Sequence, residues 1–152
     1  MGGAKSVAFA AITLLTLTGC ANNMASTLPA EPPDLPPLAA SETRELTATE
    51  KALLAKAFSA DLKDPDSGRF KWARVPKTLS DGTIDYCGLV NGKNSYGGYN
   101  GFKPFIGVIT VKSGRITGGN IAAIADSDLR YADIVPKMCR QKGLTVLAAS
   151  DS

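Results

Sequence analysis

The chain contains no histidine. This absence excludes Ser-His-Asp and Cys-His catalysis, and it excludes zinc sites built on imidazole ligands. All four glutamates lie at or before residue 50, so the β-rich part of the chain has no glutamic acid for the carboxylate pair of a glycosidase. The sequence also lacks a P-loop, a Gly-x-Gly-x-x-Gly motif after a strand and a Ser-x-x-Lys motif. We therefore expect a protein that is not an enzyme and that uses no cofactor or metal.

The chain also lacks a large excess of charge of one sign. The formal net charge is +3, and no run of lysine and arginine is long enough to follow a phosphate backbone. We therefore expect no nucleic-acid partner. Aromatic residues are only 7% of the chain, but most of them fall between Phe70 and Phe105. We expect the core and any binding surface in that part of the sequence.

The first twenty residues have the pattern of an export signal. One cation, Lys5, precedes an apolar run from Val7 to Leu17. This run is too short to span a bilayer as a helix, but it has the length of the apolar region of a signal peptide. The run ends in the quartet Leu-Thr-Gly-Cys at residues 17–20.

This quartet resembles the lipobox of bacterial lipoproteins. In that family the cysteine receives a diacylglycerol, the peptide is cut just before it and the new N-terminus is acylated. The resemblance predicts a signal peptide at residues 1–19, a lipid on Cys20 and a membrane anchor strong enough to be stable. The alternatives are an ordinary signal peptide with a chance cysteine, or a buried apolar helix. By similarity to the sorting rule of enteric bacteria, Ala21 favours the outer membrane, with the folded domain facing the periplasm.

Residues 20–43 are expected to form a tether. Five prolines lie between Pro29 and Pro37, and proline removes the N–H that a helix or sheet interior needs. An extended, semi-rigid spacer is the simplest interpretation. The alternative is a recognition segment, because Pro32-Pro33-x-x-Pro36-Pro37 contains a Pro-x-x-Pro pattern that an aromatic groove could bind.

We expect one α+β periplasmic domain over residues 44–147, followed by a tail at 148–152. The capping-box pattern of Thr47 and Glu50 predicts a first helix from Thr47 to Leu62. A second helix is expected from Asp126 to Lys142, and Pro136 should kink it or split it into a turn and a shorter helix. Between the helices, alternating patterns predict four consecutive antiparallel strands, which are RFKWARV (69–75), TIDYCGLV (83–90), FKPFIGVITV (102–111) and RITGGNIAAI (115–124).

Two cysteines remain after Cys20, and we expect them to form a disulfide. Cys87 lies in a predicted strand and Cys139 in the predicted second helix, and an exported domain meets oxidising conditions. Two buried free thiols, or one redox-active cysteine, are the alternatives. The absence of a Cys-x-x-Cys motif disfavours redox chemistry.

Three aspartates, Asp61, Asp64 and Asp66, cluster after the first helix. A calcium site is conceivable there, but the spacing differs from that of an EF-hand loop and no glutamate closes it. A polar helix end and turn is the simpler interpretation.

The stretch NGKNSYGGYNG, residues 91–101, is longer than a simple hairpin needs. One hypothesis is a compact loop whose tyrosines fold back on the sheet edge. The other is a ligand-binding loop in which Tyr96 and Tyr99 stack on the ligand. Lys93, Asn91 and Asn94 would then supply a cation and amide hydrogen bonds, and envelope glycans or peptidoglycan stem peptides would fit such a site.

Three motifs resemble a group of small exported bacterial proteins and lipoproteins. They are LKDPDSGRF at Leu62–Phe70, CGLVNGKN at Cys87–Asn94 and GGYNGFKPF at Gly97–Phe105. The group shares Leu-Lys-Asp-Pro-x-Ser-x-x-Phe, Cys-Gly-x-Val-Asn-x-Lys-Asn and Gly-Gly-Tyr-x-Gly-Phe-x-x-Phe. The resemblance implies a common domain and carries no activity.

These observations predict an outer-membrane lipoprotein with a non-catalytic binding or structural domain that contacts peptidoglycan or an envelope protein. One alternative is an inhibitor of a lysozyme-type enzyme, which would insert the loop Ser95–Tyr99 into a catalytic cleft. Another is an accessory subunit of a secretion or conjugation machine that reaches its partners through the tether.

Overall fold

A computed structural model of the protein describes residues 30–125, 132–145 and 147. The signal peptide, Cys20, the first part of the tether, the start of the second helix at Asp126 and the tail at 148–152 lie outside these residues, so those features stay predictions. Among the described residues, no helix is both long and apolar enough to cross a bilayer.

The fold is α+β, as the sequence predicted. In chain order the elements are β1 (Thr43–Arg44), α1 (Ala48–Ser59), a 3₁₀ turn (Pro65–Ser67), β2 (Arg69–Lys71), β3 (Val75–Pro76), β4 (Gly82–Asn91), β5 (Lys103–Lys112), β6 (Arg115–Ile124) and α2 (Ile134–Gln141). The main sheet is antiparallel, with strand order β2-β4-β5-β6. A second, two-stranded sheet pairs β1 with β3, and the sequence analysis did not predict it. Its strand β1 precedes α1 in the chain.

The predicted strand RFKWARV is divided between the two sheets. Arg69–Lys71 pairs with β4, and then the chain leaves the main sheet so that Val75 pairs with Arg44. Phe70 and Trp72 are partly buried and pack against the core. One stretch with the pattern of a single strand thus pairs with two different strands, β4 and β1. The local sequence does not indicate this division.

Helix α1 begins as the capping box predicted. The Glu50 N–H donates to the Thr47 hydroxyl at 3.2 Å, and the Thr47 N–H donates to the Glu50 carboxylate at 2.9 Å. The helix ends at Ser59, three residues earlier than predicted, because the amides of Asp61 and Leu62 bond to carbonyls three residues back instead of four.

Helix α2 is shorter than expected in its described part. It starts at Ile134, so Pro136 lies in the first turn, where a backbone N–H has no helical partner. In the described residues a turn at 132–133 precedes a shorter helix, which is the second of the two outcomes predicted for Pro136. Asp133 precedes the helix but makes no capping hydrogen bond with its side chain.

The two helices cover opposite faces of the main sheet. Successive residues of β4 point to opposite faces, so Tyr86 and Val90 belong to one core and Cys87 to another. The core on the α1 side, here called the α1-side core, contains Leu46, Leu54, Phe58, Ala73, Val75, Leu79, Tyr86, Val90, Phe105, Ile109, Val111 and Ile116. The α2-side core contains Cys87, Ile106, Ala125, Val135 and Cys139.

The predicted disulfide is present. Cys87 in β4 is bonded to Cys139 in α2, and both half-cystines are buried. Because the sequence separation is 52 residues, the bond joins two segments that the chain would otherwise bring together only through folding.

Part of the proline-rich segment packs on the domain. We call residues 32–43 the strap. The Leu35 N–H donates to the Arg140 carbonyl at 3.1 Å, and the Arg140 guanidinium pairs with Asp34 at 3.2 Å. A Cβ added at Gly143 would lie 2.9 Å from the Pro36 carbonyl oxygen, so the strap lies close against the end of α2.

Candidate functional site

The candidate site is a cleft between the turn that follows α1 and the loop that joins β4 to β5 (residues 92–102, the β4–β5 loop). Its volume is about 460 Å³. The Lys63 ammonium donates to the Ser95 hydroxyl at 3.2 Å and so joins the two walls. The polar and aromatic lining side chains are Asp61, Lys63, Lys93, Asn94, Ser95, Tyr96, Asn100 and Lys103.

Asn94 organises the β4–β5 loop from within. Its side-chain oxygen accepts hydrogen bonds from the Tyr96 N–H at 2.9 Å and from the Gly98 N–H at 3.0 Å. Its side-chain amide donates to the Asn100 side chain at 3.0 Å. Gly97 has φ of +81°, a conformation that glycine adopts without strain. Asn94 therefore shapes the loop, and its predicted role as a ligand donor stays a prediction.

The two loop tyrosines, which the binding hypothesis treated as a pair, have different environments. The Tyr99 hydroxyl donates to the Ser67 carbonyl at 3.2 Å, and the Arg69 guanidinium lies 4.2 Å from the ring centroid. The Tyr96 side chain is 97% exposed and lies at the cleft. Tyr99 thus folds back on the domain, and Tyr96 is the tyrosine that a ligand can stack on.

Asn91 does not line the cleft. It is the last residue of β4 and is only 9% exposed. Because Val90 faces the α1 side, the neighbouring Asn91 points to the opposite face of the sheet. In the structure its side-chain oxygen has no hydrogen-bond partner. The five predicted loop residues therefore separate, and only Lys93, Asn94 and Tyr96 line the cleft.

Sequence reasoning missed Ser67, which fixes the loop to the turn after α1. Ser67 is buried, with an exposed fraction of 5%. Its hydroxyl donates to the Asp64 carbonyl at 2.8 Å and accepts from the Lys93 N–H at 2.9 Å. The serine of the motif LKDPDSGRF thus connects that motif to the second one, CGLVNGKN. The two motifs are therefore adjacent in the fold, and each contributes one wall of the cleft.

Sequence reasoning also missed two of the three lysines at the cleft. Lys63 follows α1 and Lys103 begins β5, 40 residues later in the chain. With Lys93 they give the cleft more positive than negative lining groups, since Asp61 is its one lining carboxylate among the described residues. The lysine in LKDPDSGRF was a visible signal for Lys63, whereas Lys103 lies at an unspecified position of the third motif.

Two of the three clustered aspartates accept hydrogen bonds from the backbone. Asp61 accepts a hydrogen bond from the Ile121 N–H at 2.7 Å, and Asp64 accepts one from the Asp66 N–H at 3.2 Å. Among the described residues, no group of three or more histidine, cysteine, aspartate or glutamate side chains is placed to hold a metal ion. Two of these carboxylates thus order the turn that forms one wall of the cleft.

A second cavity, of about 220 Å³, lies beneath the strap and is lined mainly by apolar side chains, including Leu38, Ile84 and Leu144. Its polar groups already have partners. The buried Tyr86 hydroxyl donates to the Ala73 carbonyl at 3.0 Å, and burial raises the pKa of Tyr86. The charged groups at its wall, Arg74 and Asp85, contact Thr43 and Lys142 respectively. The cleft has about twice this volume and carries the exposed Tyr96, so it is the better candidate for specific recognition.

Comparison with protein-family models, with curated proteins and with solved structures finds no match to this chain. The candidate site is therefore interpreted from its own chemistry.

Proposed function

We propose that this protein is a lipid-anchored bacterial outer-membrane protein whose periplasmic domain binds peptidoglycan through the cleft, without catalysing a reaction. The single observation that supports binding is the combination of Tyr96, which is 97% exposed, with three lysines at one cleft. An aromatic face suits sugar rings, and ammonium groups suit the carboxylates of stem peptides. The lipobox resemblance of residues 17–20 supports the anchor and the export.

The binding mode follows from the form of the cleft. It is open and lies at the surface, so a polymer can enter it from the side. The lysines are on exposed or partly exposed positions, and interactions between exposed charges weaken with salt. We therefore expect affinity that is moderate and that falls as ionic strength rises.

The test is co-sedimentation of the full-length protein, purified from membranes in detergent, with insoluble peptidoglycan. The change Tyr96→Ala should weaken retention by about tenfold, because truncation of an aromatic anchor costs about 1–2 kcal/mol of binding free energy. Lys93→Gln should weaken it as well. The matched control is Lys112→Gln, since Lys112 is an exposed lysine at the opposite end of β5.

Three results would decide the proposal. Retention that is unchanged by both Tyr96→Ala and Lys93→Gln would remove the cleft as the binding site. An equal loss in Lys112→Gln would indicate non-specific charge attraction. Tyr99→Ala should lower thermal stability, because its ring and hydroxyl contact Arg69 and Ser67. A loss of stability in Tyr99→Ala, with retention unchanged in both Tyr99→Ala and Tyr96→Ala, would support the compact-loop hypothesis instead.

The exposed loop tip also favours a second function, which is inhibition of a lysozyme-type enzyme. The loop around Tyr96 protrudes enough to leave that side chain exposed, as an inhibitor that inserts a loop into a catalytic cleft requires. Addition of the purified protein to a lysozyme assay tests this directly. Inhibition that Tyr96→Ala removes would favour the inhibitor, and unaltered lysis would leave peptidoglycan binding as the proposal.

A further inference from the structure

Exposed large apolar side chains are concentrated on two adjoining segments of the chain. The described residues include five of them, and four lie on the strap and on α2, which are Leu35 (54% exposed), Leu38 (52%), Ile134 (45%) and Met138 (37%). The fifth is Tyr96, at the cleft. Single exposed apolar residues are common on soluble proteins, but a group on adjoining segments marks an interaction surface.

The strap and α2 form one surface because they are bonded to each other. In addition to the bonds of Leu35 and Asp34 to Arg140, the Gln141 side-chain amide donates to the Pro32 carbonyl at 3.4 Å. Ile134 and Met138 are four residues apart in α2, so their side chains share one face of the helix. We call Leu35, Leu38, Ile134 and Met138 the strap–helix surface.

The path of the chain gives this surface a partner. The strap begins at Pro32, and the predicted lipid attachment point, Cys20, is 12 residues earlier in the sequence. Twelve residues span at most about 40 Å even when fully extended. An anchor at Cys20 therefore confines the strap–helix surface to the neighbourhood of the bilayer.

The nearby charges indicate which kind of contact is available. Arg140 pairs with Asp34, and Lys142 pairs with Asp85 at 2.7 Å. These two cations have anionic partners, and Lys137, the other cation of α2, is partly buried and has a contact of its own. Attraction to acidic headgroups is therefore not the main source of binding. Burial of apolar side chains at the boundary between headgroups and acyl chains supplies the contact instead.

We propose that the strap–helix surface docks on the lipid bilayer to which the protein is anchored. This inference depends on the lipid anchor of the proposed function, but not on the ligand of the cleft. Helices α1 and α2 cover opposite faces of the main sheet, and the cleft lies on the α1 side, next to the turn that follows that helix. Docking through α2 would therefore direct the cleft away from the membrane, into the space where peptidoglycan lies.

The experiment uses the full-length lipidated protein in vesicles of phosphatidylethanolamine and phosphatidylglycerol. A fluorophore is attached to Met138→Cys in one variant and to Tyr96→Cys in another. Each variant is compared in vesicles with and without lipids that carry a nitroxide quencher near the headgroup. We expect the label at position 138 to shift to the blue and to lose emission with the quencher, and the label at 96 to do neither.

Loss of the apolar surface provides the second arm. Leu35→Ser with Ile134→Ser should restore the emission of the label at 138, and both positions are exposed enough for the domain to stay folded, which circular dichroism checks. Equal quenching at 138 and 96, or no quenching at 138, would overturn the docking proposal. Replacement of phosphatidylglycerol by phosphatidylcholine should change the quenching little, and a complete loss would contradict the apolar mechanism.

The failure of docking and the failure of the anchor give different results. Mass spectrometry of the purified protein shows whether Cys20 carries acyl chains. A lipidated protein without quenching at 138 would contradict the docking proposal alone. An unmodified Cys20 would contradict the lipid anchor, while co-sedimentation with peptidoglycan would still test binding at the cleft.

Discussion

On the α1 side of the main sheet twelve buried apolar residues form the described core, whereas on the α2 side five do, and two of those five are the half-cystines. The helices differ in the same way. Helix α1 has a complete capping box, and α2 has no side-chain cap. A large core and a well-formed helix stabilise each other without a crosslink, but a small core with a short helix gains most from a covalent bond.

The two proposed surfaces also lie on different sides of the main sheet. The cleft is built beside α1, where aromatic packing and backbone bonds fix the walls. The strap–helix surface is built on α2, which the disulfide holds to β4. We therefore expect perturbations of one side to leave the other side largely intact, and the predictions that follow test this from the largest effect to the smallest.

The largest expected effect is on the α1 side. Phe58 is fully buried, and its ring centroid lies 5.2 Å from that of Phe105 and 6.1 Å from that of Tyr86. Phe58→Ala should lower the free energy of unfolding by about 3–5 kcal/mol, because a large cavity forms at the centre of the core. Phe58→Leu should cost clearly less. Urea unfolding measures both, and equal losses would show that the aromatic ring fills no space that leucine leaves empty.

The disulfide should come next, with its effect concentrated on α2. Replacement of both Cys87 and Cys139 by alanine should lower the free energy of unfolding by about 2–5 kcal/mol. Hydrogen exchange should rise in α2 and at the Leu35 amide, which bonds to Arg140, before it rises in β5. Reduction of the unaltered protein under mild denaturant should reproduce the pattern. Exchange that rises equally in α1 would show that the two sides unfold as one unit.

A glycine pair on β6 should give an intermediate effect. A Cβ at Gly119 would lie 2.7 Å from the Phe58 ring and 2.6 Å from the Val108 carbonyl oxygen, whereas a Cβ at Gly118 meets nothing within 4 Å. Gly119→Ala should therefore cost about 1–3 kcal/mol by overpacking. Gly118→Ala is the matched control and should leave the melting temperature nearly unchanged. A similar loss in both would mean that backbone flexibility, and not contact with the α1-side core, determines the cost.

The smallest effect should come from the cap of α1 and should depend on pH. A bidentate hydrogen bond from Arg44, together with bonds from Thr47, lowers the pKa of Glu50 from 4.5 to about 2. A folded-state pKa below the unfolded one stabilises the protein at neutral pH, and this stabilisation is lost as the pH falls from about 4.5 toward 2. Because Arg44 is partly exposed, we expect Glu50→Gln to cost only about 1 kcal/mol at pH 7.

The measurement is thermal unfolding of both proteins between neutral pH and pH 2. The stability curves of Glu50→Gln and the unaltered protein should converge at the acidic end. Glu45→Gln is the control, since the Glu45 side chain is 76% exposed and lies 3.8 Å from its cation. A pH dependence that Glu50→Gln does not change would assign the acid sensitivity to other carboxylates.

Much of the fold followed from local patterns. The capping box placed the start of α1, and alternating patterns placed the strands of the main sheet. Strand alternation also puts Tyr86 and Cys87 on opposite faces, and Ser113-Gly114 has the positive φ values of a tight hairpin turn. The pairing of Cys87 with Cys139 also followed, because the lipobox resemblance predicts that Cys20 is lipidated and two cysteines then remain. Each of these signals acts within a few residues or by elimination.

The site was harder to predict because its parts come from distant segments. A loop rich in tyrosine, asparagine and glycine suggested recognition, but whether Tyr96 or Tyr99 is exposed depends on Ser67 and Arg69, which lie about 30 residues earlier in the chain. Lys63 and Lys103 join Lys93 only when β5 returns beside the end of α1. No local sequence pattern predicts that residues from such distant segments lie together.

The sequence alone determined the elements of the main sheet, the start of α1 and the identity of the disulfide partners, because hydrophobic alternation, capping and cysteine number are properties of short segments or of composition. Tertiary structure alone decided that one strand pattern divides between two sheets, that the end of the proline-rich segment packs on α2 and that three lysines share a cleft. These outcomes depend on which distant surfaces bury each other, and that choice is made by the whole chain when it folds.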